Sequence, residues 1–180
     1  TEKLKADYWK PIQSGDLEQS DSAMVKSLLS NTVSVIHPER YRLNHPLSPH
    51  LSAKLDGITI ELSAFEFPQT HNKIIIEGAG GLMVPLNDKH LILDLIKKLN
   101  LQVIVVSQHY LGSINHTLLT INTLKQHHIT IKGIIFNGAE NQESERYILN
   151  YGEIDDLGKV PTLPSLNKET IIAAGKMLNL

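Results

Sequence analysis

Lys73-Ile74-Ile75-Ile76-Glu77-Gly78-Ala79-Gly80-Gly81 decides how the chain is read. Three consecutive β-branched residues at 74–76 predict a strand buried on both faces, the pattern of a parallel sheet. Glu77 follows where such a strand emerges. The glycines after it let the backbone turn sharply or pass close to a ligand. In open α/β sheets ligands bind outside the carboxyl ends of the strands. A carboxylate there can hold Mg²⁺ beside a phosphate. The same residues also suit a plain strand that stops at a polar turn with Glu77 solvated. The Gly-x-Gly-Gly run keeps the phosphate crevice open as a reading.

Working outward, the downstream half is regular. Leu91, Ile92, Leu95, Ile96 and Leu99 fall on one face and predict a helix over 90–99. Residues 102–106 predict a fully buried strand, 113–127 a helix and 131–136 a strand stopping at Asn137-Gly138. Residues 144–150 predict a helix, 160–164 an extended edge segment and 168–178 the last helix. Upstream the signals are shorter. Residues 1–5 read as the helical tail of an element, and 6–9 as a strand ending at Lys10-Pro11. Gln13-Ser14-Gly15 reads as a loop. Ser20-Asp21-Ser22 can cap a helix carrying Ala23, Met24, Leu28 and Leu29. Residues 33–36 predict a strand, and Ser48-Pro49 starts a short helix running to Leu55. Residues 58–67 fit strand and helix patterns poorly, and helix is the expectation. Alternating strands and helices predict an α/β fold with a parallel sheet.

A chain of 180 residues with 41% hydrophobic and 20% charged residues suits one globular domain, residues 1–180. A net charge of −2 gives no footprint for nucleic acid or an anionic membrane. Without cysteine, thiolate metal sites, disulfides and Cys nucleophiles are excluded. No apolar run reaches bilayer-spanning length and residues 1–10 do not read as a signal peptide, so a cytoplasmic location is expected.

Four stretches, taken in order, resemble the dethiobiotin synthetase family. They are Trp9-Lys10-Pro11-Ile12-Gln13-Ser14-Gly15, then Ile76 through Leu86, then Leu111-Gly112-Ser113-Ile114-Asn115-His116 with the Thr-Leu-Leu-Thr that follows, and Gly133-Ile134-Ile135-Phe136-Asn137. Pro46-Leu47-Ser48-Pro49-His50 fits the same family. Each motif alone is weak; the ordered set, spanning essentially the whole chain, is specific. The resemblance implies a P-loop NTPase-like fold, a doubly wound, mostly parallel sheet flanked by helices. It implies a cyclo-ligase of biotin biosynthesis that closes 7,8-diaminopelargonate and CO2 into the cyclic urea of dethiobiotin, with ATP as cosubstrate and Mg²⁺ as cofactor. It also implies a homodimer. The family opens with a strand, a Gly-rich phosphate loop ending Gly-Lys-Thr and a helix, a unit of about 30 residues. That unit is missing ahead of Lys10 here. Either the sequence is incomplete or this chain cannot hydrolyse ATP. Incompleteness is the expectation, because losing a central parallel strand exposes two sheet edges.

Carried over residue by residue, the resemblance makes Lys10 the cation that bridges carbamate and γ-phosphate; by itself it would be a loop lysine. Ser14 would bond the carbamate or diamine. Asp21 and Glu77 would hold Mg²⁺, although Asp21 alone reads as a helix cap. Gly78 and Gly80 would let the backbone pass the substrate and phosphates. Ser113, Ile114 and Asn115, at a helix start suited to an anion, would take the substrate carboxylate across the dimer interface. Tyr147 would join that pocket. Asn137 would read the purine edge, with Pro161 and Leu163 on the other side of the base. Glu169 is a candidate acidic contact, one position off the family spacing. The nine histidines show no metal-ligand spacing and read as structural or solvent-facing. Two other readings remain. One is another phosphate-loop relative, a cobyrinate amide-forming synthetase or a partitioning-type ATPase, which the Lys10 and Ser113 motifs disfavour. The other is a non-catalytic dimerising remnant.

Overall fold

Strand β1 (Asp7–Trp9) is the centre from which the first half of the chain is built. The computed structural model describes all 180 residues, which divide into two compact units, Thr1–Asn100 and Leu101–Leu180. In the first unit β1 lies between β3 (Ile36–His37) and β5 (Ile74–Ile76), parallel to both. The register sets Trp9 beside His37 and Ile76. A second parallel pair joins β2 (Ile12–Ser14) to β4 (Tyr41–Leu43). The helices are α1 (Asp21–Leu28), α2 (Pro49–Leu55) and α3 (Ile92–Lys98). Pro49 starts α2 because the first helical position needs no N–H and suits proline's fixed φ.

The core of this unit gathers Trp9, Ile12, Leu43, Ala53, Ile60, Phe65, Leu86, Ile92 and Leu95. Fully burying a side chain such as Ile60 or Phe65 contributes roughly 1.5–3 kcal/mol. That explains one difference from expectation. Residues 58–67 form no helix; only a 3-10 turn at Leu62–Ala64 interrupts an irregular path. Ile60 and Phe65 both have to reach the core, and the Tyr41 hydroxyl accepts from the Glu61 amide at 3.0 Å. Nor is Gln13-Ser14 a loop: Gln13 and Ser14 pair with Arg42 and Leu43. β5 is half-buried rather than dry, since only β1 pairs with it.

In the second unit β6 (Val103–Gln108), β7 (Ile131–Asn137) and β8 (Asp156–Val160) form a parallel sheet with β7 central. The crossovers are α4 (Ser113–Gln126) and α5 (Gln142–Gly152), and α6 (Lys168–Lys176) closes the chain. Ile121, Leu124, Ile134, Phe136, Ile148, Leu157 and Ala174 are buried. Val106 is exposed, so β6 is not the fully buried strand its composition predicts. β8 ends where the extended segment was expected to begin. Strand–helix alternation and parallel pairing throughout both units give the α/β architecture expected from the sequence.

Candidate active site

Strand alternation sets the geometry at the end of β1. Tyr8 and Lys10, two residues apart, reach to one side, and Trp9 turns to the other. Trp9 enters the core and its indole N–H donates to the Pro38 carbonyl at 3.1 Å. The Glu77 amide donates to the Trp9 carbonyl at 2.9 Å, which brings Glu77 abreast of Lys10. The Lys10 ammonium then donates to Glu77 Oε1 at 3.0 Å and pairs with Asp21 Oδ2. The Tyr8 hydroxyl donates to the other oxygen of Glu77, Oε2, at 2.7 Å. Thus the lysine and both carboxylates named from the sequence form one cluster at the carboxyl end of the sheet.

Asp21 is available for this because Ser20 takes the capping role. The Ser20 Oγ accepts from the Ala23 amide at 3.3 Å, and Asp21 becomes the first helical residue. The Asp21 amide leans on Gln13 Oε1 at 3.4 Å, and the Gln13 side-chain amide donates to the Gly15 carbonyl at 3.0 Å. The Lys10 loop is thereby tied to the start of α1. Gly15 must be glycine: its φ is +74° and a Cβ would meet Pro46 at 2.6 Å. Ser14 Oγ is buried and has no protein partner, a hydroxyl left available to a ligand.

Burial works against the charge of Lys10, but its bonds to Asp21 and Glu77 outweigh that and hold the ammonium above the ordinary lysine value. Burial, followed by the Glu77 carboxylate, pushes the Tyr8 phenol far up, so it serves as a fixed donor. Lys10 is only 7% exposed, whereas the Asp21 and Glu77 side chains are 45% and 46% exposed. Two carboxylates face one ammonium, so negative charge is in excess and oxygens remain open to solvent. That donor set fits a hard divalent cation. No further His, Asp or Glu completes a protein-only metal cage. With two protein carboxylates, a Mg²⁺ held there would need waters and substrate phosphates as its other ligands.

After Glu77, Gly78 would tolerate a Cβ, in ordinary contact with Ile92 at 3.7 Å. Gly80 would not: φ is +80° and a Cβ would lie 2.9 Å from Val84 Cγ2. The turn at 78–81 therefore depends on Gly80 more than on its neighbours.

The remaining candidates lie in the second unit. α4 begins after Gly112; Ser113 is buried and its amide donates to the Tyr110 carbonyl at 3.0 Å. The first-turn amides of Ile114 and Asn115 precede the helix's own ladder and are the ones suited to an anion. Tyr147, on α5, is exposed and stacks on Tyr151, rings 5.8 Å apart. Asn137 ends β7 between Gln108 and Val160, and the Gly138 amide donates to the Val160 carbonyl at 2.8 Å. Pro161 follows β8 directly; Leu163 is half-buried and Glu169 sits in the first turn of α6.

Sequence reading missed one site residue, Tyr8, and the partners of two structural histidines. Tyr8 could have been found from the period-two spacing to Lys10. Two histidines have carboxylate partners that no spacing revealed: His37 with Asp7, and His109 with Glu145. These pairs are 30 and 36 residues apart, beyond any local pattern.

Comparison with known proteins agrees along the chain. An AAA-domain family model matches residues 1–170. The ATP-dependent dethiobiotin synthetase BioD of Cytophaga hutchinsonii is 49% identical over 174 residues, 96% of this chain and 84% of that protein. The enzyme of the same name from Christiangramia forsetii is 51% identical over 170 residues, 94% of this chain and 82% of the relative. That from Rhodopseudomonas palustris is 44% identical over 173 residues, covering 96% and 83%. Such identity over nearly the whole chain, with the Lys10 cluster assembled at the sheet edge, leaves one assignment: the chain belongs to the ATP-dependent dethiobiotin synthetase family.

Proposed function

We propose that the chain performs the family's ATP-dependent ring closure in biotin biosynthesis, joining 7,8-diaminopelargonate and CO2 into dethiobiotin with release of ADP and phosphate. The observation that carries this reading is the buried Lys10 ammonium held between Asp21 and Glu77. One amine of the diamine adds to CO2 and loses a proton, giving a carbamate. A carbamate oxygen attacks the γ-phosphorus of ATP, and ADP leaves. The second amine then attacks the carbamoyl carbon and expels phosphate, closing the urea. Each step gathers negative charge on oxygens, so the protein's task is alignment and charge dispersal.

Lys10 is suited to that task. Its charge is secured by two carboxylates, so it stays cationic while bridging carbamate and γ-phosphoryl oxygens. Ser14 Oγ, without a protein partner, supplies a donor to the carbamate or diamine. Gly78 and Gly80 give backbone access. Asp21 and Glu77 would hold Mg²⁺, which supplies neutralisation of the polyphosphate when bound. In the second unit, Ser113, Ile114, Asn115 and Tyr147 serve the substrate carboxylate, and Asn137, Pro161 and Leu163 the purine. A single-domain, homodimeric, cytoplasmic enzyme completes the reading; no helix is long and apolar enough to cross a membrane.

ADP release tests it. The enzyme should release ADP only when both diamine and bicarbonate-derived CO2 are supplied. Release that ignores either one rules out the ring closure.

A further inference from the structure

The second unit holds a buried ionic assembly that the ring closure does not use. Glu145, in the first turn of α5, is only 4% exposed. Its Oε1 accepts from the Asn141 amide at 3.1 Å and from His109 Nε2 at 3.0 Å. Its Oε2 meets the Lys159 ammonium at 2.5 Å, and Lys159 also reaches Glu140 Oε1 at 2.7 Å. His109 follows the last residue of β6 and stacks on Phe136, ring centroids 5.6 Å apart and 14° from parallel. The other ring nitrogen of His109, Nδ1, is buried and has no hydrogen-bond partner, so Glu145 is the ring's one polar anchor.

The positions of these groups matter more than their number. His109 lies just past the tip of β6, Phe136 is the penultimate residue of β7, and Lys159 is the penultimate residue of β8. Asn141 closes the turn from β7 into α5. Between them stands Asn137, level with Gln108 on one side and Val160 on the other. A buried carboxylate is costly unless fully paired, and a dry apolar contact would stabilise the unit at least as well. What the ionic assembly adds is fixed spacing between strand tips. An asparagine amide reading a base edge needs that, because its donor and acceptor must both align. Burial opposes the Glu145 charge, but Lys159, the Asn141 amide and His109 hold its carboxyl below the ordinary value, so the charged form persists.

We propose that Glu145 is a positioning residue for the nucleotide base: through His109, Lys159 and the Asn141 amide it locks the tips of β6, β7 and β8, and so fixes Asn137 against Val160 and Pro161. The proposal rests on Asn137 reading the purine. It does not depend on the ring closure, so its test uses binding rather than turnover.

ADP and UDP share a diphosphate and differ in the base, so their dissociation constants, measured by calorimetry on the enzyme, isolate the base contact. Glu145→Gln should weaken ADP about tenfold, the scale of one hydrogen bond lost at the base contact. UDP affinity should stay unchanged. Lys159→Met, which leaves Glu145 and its other two donors in place, should shift ADP in the same direction and serves if Glu145→Gln fails to fold. Asn137→Ala combined with Glu145→Gln should be no weaker for ADP than Asn137→Ala alone, because both act on one contact. Equal losses for ADP and UDP, or unchanged ADP affinity in both Glu145→Gln and Lys159→Met, would overturn the proposal. Unchanged ADP affinity in Asn137→Ala removes the purine reading and the proposal with it. Failure of the ring-closure reading shows elsewhere, as ADP release that ignores the diamine.

Discussion

The two ends of β1 carry charged clusters built on opposite principles. At the amino end, Asp7 is fully buried and accepts four hydrogen bonds: Val35 amide at 2.9 Å, His37 Nε2 at 2.9 Å, Thr70 hydroxyl at 2.6 Å and Asn72 side-chain amide at 2.9 Å. An ionised carboxylate offers about four lone-pair positions, so this one is saturated. At the carboxyl end, three residues along, the buried group is the lysine and the carboxylates around it are nearly half exposed. Their remaining lone pairs face solvent. A saturated, dry carboxylate can only hold the strand in place. An open pair of carboxylates around a secured ammonium can accept a metal and a phosphate. Burial of charge alone does not distinguish structure from chemistry; unspent coordination capacity does.

The sharpest test of this contrast separates activity from stability. Lys10→Met keeps the buried aliphatic stem and removes the charge. Turnover should fall on the order of 10²–10³-fold, as when one transition-state charge stabiliser is lost. Denaturant stability should move by no more than about 1 kcal/mol, because Asp21 and Glu77 stay solvated. A mutant that unfolds readily but turns over normally once folded would reverse the two roles.

Asp7→Asn should do the opposite. The asparagine amide brings one acceptor oxygen and a donor group where four donors converge, so at least one of them is left facing another donor. Stability should drop by about 3 kcal/mol, while activity of the folded fraction stays near wild type. The same residue governs acid unfolding. Burial favours the neutral acid, but Thr70, Asn72, Val35 and His37 outweigh it and hold the Asp7 carboxyl well below the usual range. Because the folded value is depressed, its contribution is complete above the unfolded value, near 3.8, and disappears as pH falls below it. Wild-type stability should therefore decline below about pH 4 more steeply than that of Asp7→Asn. Parallel acid limbs in the two proteins would show that Asp7 is not the group titrating.

The contrast also shows what a sequence reveals. Strands β5, β6 and β7 announce themselves as short apolar runs, β1 by Tyr8-Trp9 ahead of Lys10-Pro11, and α2 through Ser48-Pro49. β2, β4 and β8 do not, because Gln13-Ser14, Tyr41-Arg42-Leu43 and Asp156-Leu157-Gly158-Lys159 gain strand geometry only from distant parallel partners. Residues 58–67 depart from the expected helix for a related reason: two core side chains, Ile60 and Phe65, outweigh local propensity. Lys10 and Asp21 stand out only through the ordered family motifs, since their local readings are loop lysine and helix cap; Glu77 is marked locally by the β-branched run before it and the glycines after it, with a solvated turn acid as the other reading. Their convergence is a tertiary fact. So is the Asp7 cluster, whose donors lie 28–65 residues away. A pattern reader sees spacing along an element; a saturated carboxylate is made across elements.

Tyr8 carries the smallest expected effect and the finest discrimination. It is buried, as Asp7 is, yet it spends its one donor on the open cluster at Glu77 Oε2. If that bond only fills a polar gap, Tyr8→Phe should cost about 1 kcal/mol of stability and nothing else. If it orients Glu77 for Mg²⁺, the Mg²⁺ concentration giving half-maximal ADP release should rise about tenfold, the usual loss when a ligand's outer partner is removed. The second result is expected, because Lys10 already satisfies Oε1 and the carboxylate plane needs a contact on the other oxygen to stop rotating. A Mg²⁺ requirement identical to wild type would put Tyr8 with Asp7, among the groups that hold β1 in place.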